Sequence, residues 1–416
     1  MPENEQEDAT VTTIERAEAY DTDLDQHSAE FMQDPYGALA QLRDRCPVAK
    51  SSSYGGFWVI TGYDEIFEAL HDTEVFSSTP DENGKGVPPA PGSPQLAPID
   101  FDPPDVGFYR SFLLKHMSPG AAKKMQPTIA EMTGDFIDAF IEKGHADLSQ
   151  ELFTALPAQL ILRVLGFDDT RWREWMGWVH GFVHERVADP EGSMNKILAM
   201  AAQIVTEINE SRESQRPGLM TLLINDEQDG RKLTDADLVN MVFLLILGGM
   251  DTTAGLTGNA LLRIASDDKL RQRIIDDPQV LDRGTEEFLR HDTPTIGLSR
   301  RVAKDAVFHG RKLKKGDRVL LMYAAGNRDP RVFDDPDVLD LDRPNTKHMA
   351  FALGVHRCLG SNLARVMFKT MITEVLSRMP DFQVVTDRVE RYPDAGDVYA
   401  VKHLPVTFTP GTRRKA

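Results

Sequence analysis

Residues 351–360 read Phe-Ala-Leu-Gly-Val-His-Arg-Cys-Leu-Gly, and Cys358 within them is one of only two cysteines in 416 residues. After it, Leu359, Leu363, Val366, Met367 and Met371 recur at helical spacing until Pro380. That periodicity predicts a helix. Cys358 then sits at the helix N-terminus, where free N–H groups and the dipole favour an anion. A cysteine so placed is expected to have a lowered pKa and to be a good thiolate ligand. Gly354 and Gly360 let the backbone turn tightly and approach a flat partner closely. Amides aimed at the sulfur would tune a bound metal.

A structural zinc site needs about four Cys or His ligands at close spacing, which one cysteine does not supply. A nucleophilic cysteine with a distant histidine stays open, although neither the glycines nor the helix demands it. Axial ligation of haem iron by a single thiolate fits better. The other cysteine, Cys46, precedes a proline and reads as structural.

Composition narrows the classes. The chain is 41% hydrophobic and 27% charged, with a formal net charge of −18. It has ample material for a large core. The acidic balance disfavours a general nucleic-acid binder, which needs cations against phosphates. The opening MPENEQEDAT is polar and acidic, unlike a signal peptide. The longest apolar run, Met241 to Met250, falls short of the ~20 residues that span a bilayer. A cytoplasmic location follows as the expectation.

Along the chain, residues 1–30 read as a flexible N-terminal segment and 31–416 as a single catalytic unit. That unit is expected to be mainly α with a small β-rich part. FWVITGY (57–63) has strand composition. Thr79 to Asp105 holds too many prolines and glycines for regular structure, and a loop of that length is usually functional or disordered. Its apolar Leu96, Ala97, Ile99 and Phe101 suggest that it folds over something. Helical periodicity dominates from about Tyr109 to Ser266. Thr234 reads as an N-cap, with acids in the first turn. The helix it starts runs through Leu261, a length of roughly 40 Å at about 1.5 Å per residue. A further helix is expected from Ser266 to near Pro278, and two short strands between Asp305 and Met322.

The long helix contains LLILGGMDTTAG (244–255). Gly248, Asp251, Thr252 and Gly255 share a face. Two interior glycines cost roughly 1 kcal/mol each relative to alanine, which makes sense if something lies against the backbone there. Asp251 needs a partner in such an apolar helix. An acid beside an alcohol at an opening is a proton-delivery arrangement. The alternative is a bend, with the threonine bonded to the preceding turn.

Taken together, Phe351-x-x-Gly354-x-His356-x-Cys358-x-Gly360 resembles the haem-thiolate signature of cytochrome P-450 monooxygenases, and the likeness runs from about Asp34 to Pro410. The resemblance implies the cytochrome P-450 fold, with the long central helix over a haem b. It implies Cys358 as the iron ligand, O2 as co-substrate, Thr252 holding the group on the iron with a water, and Asp251 relaying protons. Phe351, Gly360 and Gly248 would line the haem. Arg110, Arg300 and His356 would meet its propionates, with Arg301 as runner-up to Arg300. Val106 stands where many members carry a histidine. Glu287, Arg290 and Arg343 match the family's structural lock.

The implied activity is insertion of one oxygen atom into a small or medium lipophilic molecule, such as a terpenoid, an aromatic or a steroid. Candidate substrate contacts are Leu96 and Ile99 in the cover loop and Leu244, Leu247 and Gly248 on the long helix. Thr295, Ile296, Val398 and Tyr399 are matched from the later segments. No reductase-sized region follows the cysteine segment, so a ferredoxin and a ferredoxin reductase are the expected electron source. Arg110, Lys115, Lys123, Lys124, Arg357 and Arg365 are candidates for the docking patch. Two rival readings are a peroxide-using haem enzyme and a non-catalytic haem-thiolate sensor.

Overall fold

The computed structural model describes residues 20–414 except 92, 345 and 395. The predicted strand forms as Phe57–Ile60 (β2). It joins Val48–Ser51 (β1), Phe76–Ser77 (β3), Leu298–Val302 (β4) and Arg318–Leu321 (β5) in a five-stranded sheet ordered β1-β2-β5-β4-β3. β2 and β5 run parallel, with Trp58 opposite Val319 and Ile60 opposite Leu321. The other neighbours are antiparallel. Alternation along the strands divides two cores. Trp58, Ile60, Val319 and Leu321 pack with Ile66, Leu70 and Phe76. Phe57, Val59 and Leu320 pack with Phe31, Leu39 and Leu42.

Between Asp305 and Met322 there are three strands rather than two. Ala306–Phe308 pairs with Arg311–Leu313 before β5 begins. The turn residues His309 and Gly310 both have positive φ, and strands of three residues leave almost no periodic signal.

Residues 20–30, expected to be loose, are tied down. Thr22 bridges to Ser51. Ser51 Oγ donates to the Leu24 carbonyl at 2.7 Å, and His27 pairs with Asp394 at 2.8 Å. The rest of that expected segment, 1–19, lies outside the described residues.

The helical part contains Asp105–Leu114 (α1), Pro119–Asp138 (α2), Trp172–His180 (α3), Asp235–Ser266 (α4), Leu281–His291 (α5) and Ser361–Arg378 (α6). α4 starts where predicted, because Thr234 and Asp237 cap each other reciprocally. It extends five residues past Leu261, and the next helix is Asp268–Asp276, capped by Asp267. By length and composition α4 could cross a membrane. Here its Met241, Phe243, Ile246, Met250 and Leu256 are buried inside the protein, so it is a core helix. α2 and α6 pack against each other.

Residues 79–104 contain no helix or strand among those described, yet they are folded. The Asp102 carboxylate accepts from the Ser77 and Thr79 hydroxyls and the Ser78 N–H, and Asp100 accepts from Leu96 N–H at 2.8 Å. The loop's own Val87, Leu96 and Ala97 are buried.

Candidate haem and oxygen site

The cysteine loop is closed by Cys358 N–H donating to the Phe351 carbonyl at 2.8 Å. Gly354 has φ +65°, and a Cβ there would lie 2.8 Å from the Leu70 carbonyl; only glycine fits both conditions. α6 then begins at Ser361, with Gly360 as its cap. The Cys358 side chain is accessible to solvent, and the guanidinium groups of Arg110 and Arg365 lie near it. Burial pushes its thiol up, and this outweighs the Gly360 N–H, the guanidinium groups of Arg110 and Arg365, and the Ser361 N–H. The expected low thiol pKa is therefore corrected. The helix terminus alone does not lower the thiol pKa here.

On α4, Gly248 is exposed in the middle of a buried helix, and a Cβ there would touch nothing within 4 Å. This is a face that a flat group can approach. Gly255 serves another purpose: its missing Cβ makes room for Val398 and Ala400. Thr252 Oγ1 donates to the Gly248 carbonyl at 2.9 Å, the back-bonded arrangement weighed above. Asp251 departs from expectation. It is 1% exposed and points away from the opening. It pairs with His184 Nε2 at 2.8 Å and His180 Nε2 at 3.6 Å. Burial would push its carboxyl up, but the two imidazoles hold it well below the usual range. No local pattern points to these histidines, which lie about 70 residues away on another element.

Positive charge collects beside the cysteine loop. His356 Nε2 lies 3.0 Å from Ser78 Oγ. Burial, then Arg300 and Lys85, push its pKa down to about 3. Arg300 is 3% exposed and donates to the Ser299 carbonyl; no carboxylate pairs with it among the described residues. Nor does one pair with Arg110, whose guanidinium lies near Cys358. Lys85, from the cover loop and missed in the sequence, is ion-paired with Asp100. Arg301 holds that loop through the Thr79 carbonyl at 3.2 Å, so Arg300 is the propionate candidate. Val106 is buried and apolar. These cations exceed their local acids. With the open Gly248 face and Cys358 they fit a flat, iron-bearing dianion, which describes haem.

The lock is assembled. Arg290 donates twice to Glu287, at 2.7 and 2.8 Å, and Arg343 donates at 3.1 Å. Burial would raise the Glu287 pKa, but these cations and the Asp340 N–H lower it. Beside it, Arg365 pairs with Glu286 at 2.5 and 2.7 Å and lies 4.7 Å over the Phe351 ring.

Of the substrate candidates, Leu96, Ile99, Leu244, Leu247 and Val398 belong to one apolar cluster with Phe101, Phe182 and Phe243. Thr295 bridges to Val398. Two others have packing partners elsewhere. Ile296 is fully buried in the core with Phe31 and Leu39. Tyr399 meets Tyr36 edge-on, with Arg391 over its face.

Comparison with known proteins agrees with this geometry. Residues 159–396 match the family model described as Cytochrome P450. Cytochrome P450 107B1 of Saccharopolyspora erythraea is 30% identical, covering 85% of this chain and 90% of that protein. Steroid C26-monooxygenase of Mycolicibacterium smegmatis is 29% identical over 90% of this chain and 92% of that protein. The crystal structure of CYP109E1 from Bacillus megaterium in complex with testosterone superposes with a TM-score of 0.84. It is 26% identical and covers 92% of this chain and 100% of that one. These matches show that the chain belongs to the bacterial cytochrome P450 family of haem-dependent monooxygenases.

Proposed function

We propose that this enzyme hydroxylates a lipophilic substrate of terpenoid to steroid size, held between the cover loop and the Gly248 face of α4. The observation that carries this reading is the single apolar cluster that joins Leu96, Ile99, Leu244, Leu247 and Val398 across that opening. Relatives named for a steroid substrate and a testosterone complex make steroids the first compounds to screen.

Bound haem supplies dioxygen activation and transfer of one oxygen atom, the other leaving as water. Cys358 Sγ holds the iron, while Arg110, Arg300, Lys85 and Ser78-linked His356 hold the propionates. The apolar walls orient the substrate and exclude water. Asp251 takes protons from His184 Nε2 and His180 Nε2 and passes them towards Thr252 Oγ1, which turns from the Gly248 carbonyl to receive them. His180 is the more exposed histidine, at 19%, and is the entry from solvent. A relay of this kind serves an O2-using enzyme better than a peroxide-using one or a sensor.

Electrons come from a ferredoxin and its reductase in the cytoplasm. Lys115 pairs with Asp226 and Arg365 with Glu286, and Arg110 turns inward. Lys123, Lys124 and Arg357 are the exposed cations of the patch and form its docking face. The Thr252→Ala variant tests the mechanism. Product per electron should fall about tenfold or more, with peroxide released in its place. Coupling equal to wild type would overturn the relay.

A further inference from the structure

The pair of histidines that holds Asp251 has a geometry beyond what an ion pair needs. His180 closes α3, and the chain continues as a π-helical turn over Gly181–Glu185 that carries His184. The two histidines are four residues apart and so share one face of this helical stretch, and π turns recur at functional sites. Both Nε2 atoms therefore converge on one carboxylate. One ring nitrogen of each histidine and an Asp251 oxygen all lie within 4.8 Å of one another.

The surroundings fix the rings. His184 stacks on Tyr392, with centroids 3.7 Å apart and planes 3° off parallel. Its other nitrogen, Nδ1, is 3.4 Å from the Asp394 carbonyl. That contact leaves Nε2 as the nitrogen facing Asp251, and a backbone carbonyl on the far nitrogen is a usual outer support of a metal-bound imidazole. Tyr392 Oη lies 3.0 Å from His180 Nε2. Asp251 and His184 are almost fully buried, at 1% and 2%. Two imidazoles and one carboxylate make a common protein ligand set for zinc, which a water completes to four.

We propose that His180, His184 and Asp251 form a binding site for a divalent transition metal, zinc above all, separate from the haem iron. The metal replaces the proton shared between His184 Nε2 and Asp251 and releases it to solvent. It fastens the π turn after α3 to α4. If Asp251 is the proton carrier assigned above, a bound metal also withdraws it from that task. The site itself stands apart from that assignment, because its test counts metal and not turnover.

Haem-loaded enzyme is dialysed to equilibrium against micromolar Zn2+, and bound zinc is measured by elemental analysis. One zinc per chain is expected. His180→Gln and His184→Gln, each checked for an intact haem spectrum, should weaken binding by at least the roughly 10–100-fold that losing even a supporting partner costs. X-ray absorption at the zinc edge should show two imidazoles at about 2.0–2.1 Å. His180 is the less buried ligand, so its variant keeps the test informative if His184→Gln does not fold. No stoichiometric zinc, or equal zinc in wild type and variants, would overturn the proposal.

Discussion

Replacing Glu287 with glutamine changes one atom and removes one charge. The side chain is 1% exposed, against 0% for Arg290 and 8% for Arg343. In the wild type its two oxygens receive two bonds from Arg290, one from Arg343 and one from the Asp340 N–H. Glutamine keeps one acceptor oxygen and turns an NH2 group towards guanidinium donors. Two buried cations then lose their counter-charge. Breaking a buried pair from one side costs about 3–5 kcal/mol, or roughly two to three and a half decades in the unfolding equilibrium. Against a typical stability of about 5–15 kcal/mol, that is a large fraction. Arg343 leads towards the cysteine loop, so thiolate ligation should fail along with the fold. Urea unfolding, followed by the thiolate-ligated haem spectrum, should show a lower midpoint at similar slope. A midpoint equal to wild type would refute the reasoning that Glu287 neutralises both arginines.

Two further outcomes follow from the same site. Lys85→Met removes a cation beside His356 and Arg300, and haem transfer to an apo-globin acceptor should quicken several-fold; an unchanged rate would remove Lys85 from the propionate set. Burial tends to raise the Glu286 pKa, but bonds from Arg365 and His348 win and lower it from 4.5 to about 2. A depressed carboxylate contributes stability above its unfolded pKa and loses that contribution as pH falls through the folded value. Acid titration between about pH 4.5 and 2 should therefore unfold the wild type progressively. Glu286→Gln, already lacking this contribution, should show a flatter profile across that window. Parallel profiles would contradict the assignment.

Much of this was legible locally. The Thr234 cap, the helix after Cys358 and the Glu287–Arg290 spacing are set within a few residues, and each appears where the pattern places it. Apart from the short strands before β5, whose three residues carry too little periodicity, the failures are long-range. Asp251 needs a partner, and that could be read from the apolar helix around it. That the partners are His180 and His184 depends on how the π turn after α3 packs on α4. Lys85 sits in a Pro- and Gly-rich stretch whose path is set by the Asp100 and Asp102 bonds, not by periodicity. Segment position does not tell which core Tyr399 and Ile296 join; side-chain direction does. The helix N-terminus predicts a low Cys358 thiol pKa, and burial outweighs it.

The most direct test of the central claim is the difference spectrum of the reduced enzyme with carbon monoxide. The account predicts a strongly red-shifted Soret band, marking a thiolate on the iron, and its loss in Cys358→Ala. A band typical of a histidine ligand, or a red-shifted band that survives in Cys358→Ala, would contradict it.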